Sequence, residues 1–360
     1  MFDLQSMDPR PTRRALERQD LAVGSIWSPG SLDGVFATAE AVAAKDCNNL
    51  YRASCYFRDG ERYRAFCASY AIMRIVDDRV DGFLAKRNAS AEDRECVIRV
   101  VEAWHRIVSV CLSGDTPAPY DVRQTEQDGV DELLEALRES VWLFPVPAGL
   151  WDDFFGAMHD DLQRSRFSTY CQFLQYTAGA SVAPTTIYLH LITGEPCSEG
   201  GIFGPPQDFD IVQCGRALGR FAYIGHILRD LRVDLLTGET GLLYLAADDM
   251  ATHGVTVESL RRDAESRTAS PGLRALVSEL VERGRTLASE GRTHLSMLSG
   301  GLSADRAFVL ELIVGIYEAV LDKIASCSHN VMAERHRLTI VEKGMIAQRI
   351  AASLGMTLTT

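Results

Sequence analysis

Tyr70-Ala71-Ile72-Met73-Arg74-Ile75-Val76-Asp77-Asp78-Arg79-Val80-Asp81-Gly82-Phe83 sets two demands against each other. Tyr70, Ile72, Met73, Val76 and Val80 make the segment apolar enough to be core. Yet Asp77 and Asp81 stand four residues apart, so on a helix they share a face, with Asp78 turned away by about a quarter turn. Stacked like charges repel, and burying them without a counter-ion is costly.

A second stretch repeats the conflict: Phe221-Ala222-Tyr223-Ile224-Gly225-His226-Ile227-Leu228-Arg229-Asp230-Leu231-Arg232-Val233-Asp234-Leu235. Asp230 and Asp234 again share one face of an apolar helix. A single Asp-x-x-x-Asp pair reads as a solvated face satisfied by arginines such as Arg74, Arg79, Arg229 and Arg232. Two such pairs, each with an arginine just upstream (Arg74, Arg229), point instead to carboxylates converging on hard divalent cations. Magnesium takes oxygen ligands, keeps some waters and lets substrate phosphates complete its shell. Its charge also reverses the repulsion that carboxylates alone would exert on a diphosphate. Asp77, Asp81, Asp230 and Asp234 are therefore the expected Mg2+ ligands and catalytic residues. Arg74 and Arg229 are expected to grip phosphate in bidentate fashion.

Outward from these segments the pattern stays helical, with no β-branched alternating runs. The spacing predicts helices over 33–57, 60–83, 91–113, 129–143, 149–163, 168–193, 208–236, 256–265, 272–299, 303–330 and 336–354. The clearest is 303–330, where Ser303 is a suitable N-cap and Leu310, Ile313, Tyr317, Val320 and Ile324 form a stripe that must be buried. Pro145, Pro147 and the run Gly200-Gly201-Ile202-Phe203-Gly204-Pro205-Pro206 mark loops. Because helices on both sides carry apolar stripes, these read as loops within one bundle. The expectation is an all-α, single-domain protein over 32–360, preceded by a loose arm, 1–31, from which Trp27 could dock.

The chain has 360 residues, 46% of them hydrophobic, and a formal net charge of -12. Such an acidic balance disfavours a nucleic-acid partner, which needs a basic face, and adhesion to anionic lipid by charge alone. Nine cysteines without CxxC or Cys/His spacing read as reduced thiols of a cytoplasmic protein. No stretch approaches the roughly 18 unbroken apolar residues of a membrane span. Peripheral membrane contact during product release stays compatible with this reading; oligomeric state is not legible.

With these residues in view, the chain resembles the squalene/phytoene synthase family, the head-to-head prenyl synthases. The likeness spans roughly residues 45–345. It rests on Asn49-Leu50-Tyr51-Arg52-Ala53-Ser54 running through Arg74 to Asp77-Asp78-Arg79-Val80-Asp81. It continues at Asp161-Leu162, Arg166, Tyr170, Tyr176 and Ala178-Gly179-Ala180-Ser181-Val182, then at Ile227 to Asp234, with Tyr317 near the C-terminus. The resemblance implies a helical bundle of the isoprenoid synthase type with a central apolar cavity. It also implies about two or three Mg2+ ions and isoprenyl diphosphate substrates, farnesyl or geranylgeranyl.

The implied activity is that of a transferase of isoprenoid, terpenoid or carotenoid biosynthesis. One diphosphate leaves, a second prenyl diphosphate attacks the allylic cation, and proton loss closes a cyclopropane. A second ionisation and rearrangement then give a squalene- or phytoene-like product. Such cations must be shielded from water. Asn49, Tyr51, Phe173, Tyr176 and Tyr317 are the implied substrate-binding residues, and aromatic faces can each stabilise a cation by ~0.5–2 kcal/mol.

Three positions depart from the family pattern: His226 in place of asparagine, Val233 in place of glutamate, and Leu242 where an arginine is common. His226 lies four residues before Asp230 on the same face. Its nitrogen is a poor magnesium ligand, so it is expected to donate a hydrogen bond to diphosphate or to act as a base near the cation. Two other readings stay open: a class I terpene cyclase or prenyltransferase to a non-prenyl acceptor on the same scaffold, and a non-catalytic helical scaffold. Use of NADPH and prenyl chain length are not legible.

Overall fold

A computed structural model describes residues 22, 23, 26–45, 48–86, 88–163, 166–196, 202–206, 208–237, 243–298 and 301–358. The helices are α1 (Phe36–Ala44), α2 (Asn49–Ser54), α3 (Gly60–Leu84), α4 (Ala91–Leu112), α5 (Pro119–Gln124), α6 (Val130–Leu143), α7 (Ala148–Gln163) and α8 (Tyr170–Thr177). A π turn (Ala178–Val182) leads into α9 (Ala183–Thr193). There follow α10 (Ile211–Leu235), α11 (Ala247–Thr252), α12 (Val257–Ser266), α13 (Pro271–Ser296), α14 (Ala304–Ser326) and α15 (Ile340–Ser353). Two minimal ladders complete the fold: β1 (Ala22–Val23) parallel to β4 (Thr357–Leu358), and β2 (Glu195–Pro196) antiparallel to β3 (Phe203–Gly204).

One hydrophobic cluster runs from Leu32 to Ala351, so the helices share a core as the all-α, single-domain reading expects. α3 and α10, the two aspartate helices, bury most of their lengths in it. The π turn sits between α7 and α10, and two glycines permit that approach. A Cβ on Gly179 would lie 1.9 Å from the Asp153 carbonyl oxygen, and one on Gly219 would lie 2.7 Å from the Val182 Cα. Side chains larger than hydrogen would force these backbones apart.

Several expected elements differ. The predicted helix 33–57 is split: backbone at Lys45 leaves the helical region, and Asn48 then caps α2 by accepting from the Tyr51 N–H at 3.0 Å. Helix 168–193 is interrupted by the π turn, and Pro184 falls in the first turn of the helix that restarts. The last helix begins at Ile340 rather than 336, where a Thr339–Glu342 capping box starts it. Ser303 is an N-cap by position, yet its hydroxyl accepts from Arg306 Nε (2.9 Å) and caps no backbone N–H. α5, α11 and the two-residue strands are too short to give a periodic signal.

Of the expected N-terminal arm, residues 1–21, 24 and 25 lie outside the described residues. Trp27 is docked: its indole donates to the Phe57 carbonyl at 2.8 Å and stacks on Tyr63 with ring centroids 4.8 Å apart.

Candidate active site

Asp77 and Asp81 come from the C-terminal half of α3, Asp234 and Asp230 from the last turns of α10, and Asp161 from the last turn of α7. Four of these five carboxylates face one another. Burial pushes Asp81 up to about 8, and repulsion by Asp77, Asp161 and Asp234 adds to it. Burial likewise pushes Asp161 up to about 7, with Asp77 contributing. Asp234 rises to about 7 through burial and its neighbour Asp230, and Asp77 rises through burial and Asp78. Among the described residues no three acids are drawn close enough to enclose one ion by themselves. The donor set is nonetheless all hard oxygen, and its mutual repulsion is what a divalent cation relieves.

Asp230 behaves differently from its partners. It is buried and clamped by two guanidinium groups. Arg229 donates from Nε (3.0 Å) and Nη2 (2.5 Å), and Arg335 from Nε and Nη2 (2.8 Å). Burial alone would raise its pKa, but these bonds and the nearby positive charge hold it well below the usual carboxylate range. Arg335 arrives from the loop between α14 and α15, and no feature of the sequence near it signalled this role.

His226 accepts from Arg229 Nη2 at Nδ1 (3.4 Å), lies 3.6 Å from Asp230 through Nε2, and stacks on Tyr223. Burial and the charge of Arg229 lower its pKa well below the ordinary histidine value, so the ring is neutral at neutral pH. Val233 is exposed at the rim; Gly241 and Leu242 lie outside the described residues. Tyr244, which follows them, is brought into the site. Its ring packs near Tyr176, Tyr223 and Phe167.

Tyr176 donates to Asp161 at 2.8 Å, and the Tyr223 hydroxyl donates to Tyr176 at 3.2 Å. Asp161 and Tyr223 were therefore missed as site residues. Asp161 could have been found from its place beside Tyr176 in the same motif, whereas Tyr223 gave no signal beyond an aromatic in an apolar helix. Phe173 belongs to the same aromatic cluster, near Phe167, Tyr170 and Tyr223.

Below the acids lie two adjoining apolar chambers. The first opens beside Arg74 and Asp77 and is walled by residues such as Phe66, Met73, Met158 and Leu191. The second runs between α9, α10 and α14 and is lined by Leu218, Phe221, Ile313 and Tyr317. Leu50, Pro184 and Tyr188 line both and form the partition. The Tyr188 hydroxyl is pinned to Ser54 at 2.7 Å.

Arg74 is buried beside the first chamber, 3.7 Å from Asp78. Asp78 also pairs with exposed Lys45 (3.0 Å), outside the acid cluster. Asn49 is buried within hydrogen-bonding reach of the Tyr317 hydroxyl. Tyr51, expected in the cavity wall, instead packs against Tyr63, whose hydroxyl lies 3.2 Å away and donates to buried Glu40 (2.8 Å). Its polar tip is committed to that network, which turns the ring away from the chambers.

Comparison with known proteins identifies the family and the fold. Residues 44–342 match the family described as squalene/phytoene synthase. A phytoene synthase of Thermus thermophilus is 32% identical over 324 residues, covering 88% of this chain and 93% of the relative. The chloroplastic phytoene synthase of Narcissus pseudonarcissus is 25% identical over 290 residues; that protein is longer, and the match covers 58% of it. In fold, the chain is similar to a crystal structure of a dehydrosqualene synthase in complex with ligand. The TM-score is 0.69 at 19% identity, covering 89% of this chain and 96% of that one. A squalene synthase from Alicyclobacillus acidocaldarius gives a TM-score of 0.63 at 18% identity, covering 82% and 95%.

Proposed function

The chain belongs to the squalene/phytoene synthase family and is a prenyltransferase, and from that premise we propose that it couples two geranylgeranyl diphosphates head to head into a phytoene-like hydrocarbon. The observation that carries this reading is a cleft of buried carboxylates flanked by arginines, with one apolar chamber opening beside Arg74 and Asp77 and a second behind the Leu50, Pro184 and Tyr188 partition, which would give two prenyl tails separate berths. A terpene cyclase acting on one tail would need only one berth. The phytoene synthases among the relatives support geranylgeranyl over farnesyl chains.

The residues divide the work by charge. Asp77, Asp81 and Asp234 would hold Mg2+, which supplies Lewis-acid neutralisation of the departing diphosphate. Arg74, at the mouth of the first chamber, would bind phosphate oxygens directly. Arg229 and Arg335 now neutralise Asp230, so binding diphosphate there means exchanging one anionic partner for another. Their positive charge keeps a place for the leaving group beside His226. Neutral His226 can donate to a phosphate oxygen from Nε2. The aromatic faces of Tyr176, Tyr223 and Tyr317 bound a region from which water is excluded, as a carbocation requires. Proton loss closing a cyclopropyl diphosphate, then departure of its diphosphate, rearrangement of the cation and a final proton loss to the neutral hydrocarbon, is the proposed route.

Among the described residues no helix is long and apolar enough to cross a membrane, and we place any lipid contact at the periphery. The direct test incubates purified protein with geranylgeranyl or farnesyl diphosphate and Mg2+, with and without NADPH, and identifies products by gas chromatography. A C40 hydrocarbon from geranylgeranyl diphosphate is expected; cyclic or single-chain products, or none, would refute the reading.

A further inference from the structure

Helix α9 runs between the two chambers, and its faces divide them. Ile187 and Leu191 line the first, Thr185 and Leu189 line the second, and Pro184 and Tyr188, on the ridge between, line both. Those two ridge residues are four apart in sequence, so they stand one above the other on the helix. Leu50 and Ser54 hold the same spacing on α2. Leu50 completes the partition beside the ridge, and the Ser54 and Tyr188 hydroxyls share a hydrogen bond of 2.7 Å. Both side chains are buried, Ser54 wholly so. Breaking that bond would strand two hydroxyls away from water, which holds the Tyr188 ring in place.

The ring stands at the end of the first chamber remote from the carboxylates. Along α3 the wall runs from Asp77 through Arg74, Met73 and Tyr70 to Phe66, three helical turns or about 16 Å of axis. Phe66 closes that line, and Tyr188 meets it edge-on with centroids 5.5 Å apart. Phe57 packs on the same tyrosine at 6.4 Å. Two phenylalanines and a serine thus hold a rigid aromatic plate at the chamber's inner end. An aliphatic side chain there could swing aside as a tail pressed on it, whereas a packed ring pinned at its tip resists.

We propose that Tyr188, fixed by Ser54, is the stop that sets how long a prenyl tail the first chamber accepts. This rests on the reading that prenyl tails occupy the chambers, and it names the residue that selects their length. A tail anchored by its diphosphate beside Asp77 and Arg74 extends along α3 until its last isoprene unit meets the ring. A tail one unit longer has to push the ring off Ser54 and toward the second chamber. Tyr188 touches substrate; Ser54 acts only through it, as a positioning residue.

The test measures discrimination between tails in two ways. Competition between C20 and C25 isoprenyl diphosphates with Mg2+ gives the ratio of kcat/KM. Calorimetry with the unreactive S-thiolodiphosphates of the same tails gives the ratio of affinities. Wild type should prefer the C20 tail. Tyr188→Ala, which removes the ring, should raise the C25-to-C20 ratio about tenfold or more, the scale on which a pocket reads chain length. Tyr188→Leu supplies a smaller opening should the alanine variant fail to fold. Ser54→Ala and Tyr188→Phe each remove the bond and should raise the ratio about threefold. Their double variant should match either single one, because the same bond is lost in all three.

A folded Tyr188→Ala or Tyr188→Leu protein with the wild-type ratio overturns the stop. Ratios unchanged in Ser54→Ala, or effects that add in the double variant, overturn the role of the bond. Wild type that makes no C40 hydrocarbon, while the affinity ratio shifts in the variants, refutes the coupling reaction and leaves the stop standing. Wild type that binds neither thiolodiphosphate overturns both.

Discussion

Replacing Asp81 by Asn should stabilise the metal-free protein at alkaline pH and leave it unchanged at acidic pH. Asp81 titrates at about 8 in the fold, against about 3.9 in an unfolded chain. Between those values the folded state binds more protons than the unfolded one, so stability falls as pH rises. The penalty is absent below about pH 4, grows through the interval and is complete above pH 8. At about 1.36 kcal/mol per unit, the ceiling for Asp81 is roughly 5–6 kcal/mol. Because part of that shift comes from repulsion by Asp77, Asp161 and Asp234, those neighbours regain protons when Asp81 ionises. The observable gain in the Asn variant is accordingly about 2–4 kcal/mol at pH 8.5.

Below about pH 4 Asp81 is protonated in the folded and the unfolded chain alike, and the carboxyl and the amide are nearly isosteric, so wild type and variant should melt together there. Thermal melts in EDTA, with urea melts to convert midpoints into free energies, would measure both arms. Added Mg2+ should raise the wild-type midpoint at pH 8.5 more than that of Asp81→Asn, and chelation should leave the helical circular dichroism intact below the melt. A wild type and variant that melt together at pH 8.5, or a metal-free wild type that grows more stable from pH 5.5 to 8.5, would refute the electrostatic picture of the cleft.

Alanine at Asp77, Asp81 or Asp234 should abolish diphosphate release with helical content unchanged, measured by a coupled phosphate assay and circular dichroism. Arg335→Ala should cost about 1.5–3 kcal/mol of stability, evenly above pH 5 because the pKa of Asp230 is depressed and its contribution is lost only in strong acid. The same variant should bind Mg2+ more tightly by calorimetry, since Asp230 keeps one clamp instead of two. For His226, the Asn variant should bind Mg2+ more tightly but turn over more slowly than wild type; if His226→Asn and His226→Ala both match wild type in metal titration, turnover and products, the ring is only structural. Gly179→Ala should destabilise by about 3 kcal/mol or more, because the new methyl would meet the Asp153 backbone rather than a movable side chain; an urea midpoint within error of wild type would contradict this.

The bundle was legible because long helices repeat one signal many times. α14 shows it best: of the expected stripe Leu310, Tyr317, Val320 and Ile324 are buried, and Ile313 is half-buried. What escaped notice was local. The break between α1 and α2 depends on one backbone turn and one asparagine cap, and the π turn depends on glycines whose importance appears only when α7 and α10 press against them. Neither leaves a periodic trace. The capping choice of Ser303 was likewise decided by Arg306, a competitor for the same hydroxyl.

In the site, the aspartate pairs were legible because helical spacing fixes which carboxylates share a face, whatever lies opposite. Their unequal states were not, because those depend on what lies opposite. Asp230 and Asp234 are one turn apart, yet one is held ionised by Arg229 and Arg335 while the other is pushed up to about 7 by burial and its neighbour. Arg335 is 105 residues from Asp230 in sequence, and only the path of the loop before α15 joins them. The same contact makes the cleft's charge balance adjustable. With Arg335 on Asp230, the cleft keeps one carboxylate neutralised and a guanidinium beside His226. A diphosphate that drew Arg335 away would leave the Asp230 carboxylate paired with Arg229 alone beside Asp234. The fourth carboxylate would then become available to a cation as the phosphate charge arrived, coupling metal affinity to substrate binding through a single side chain.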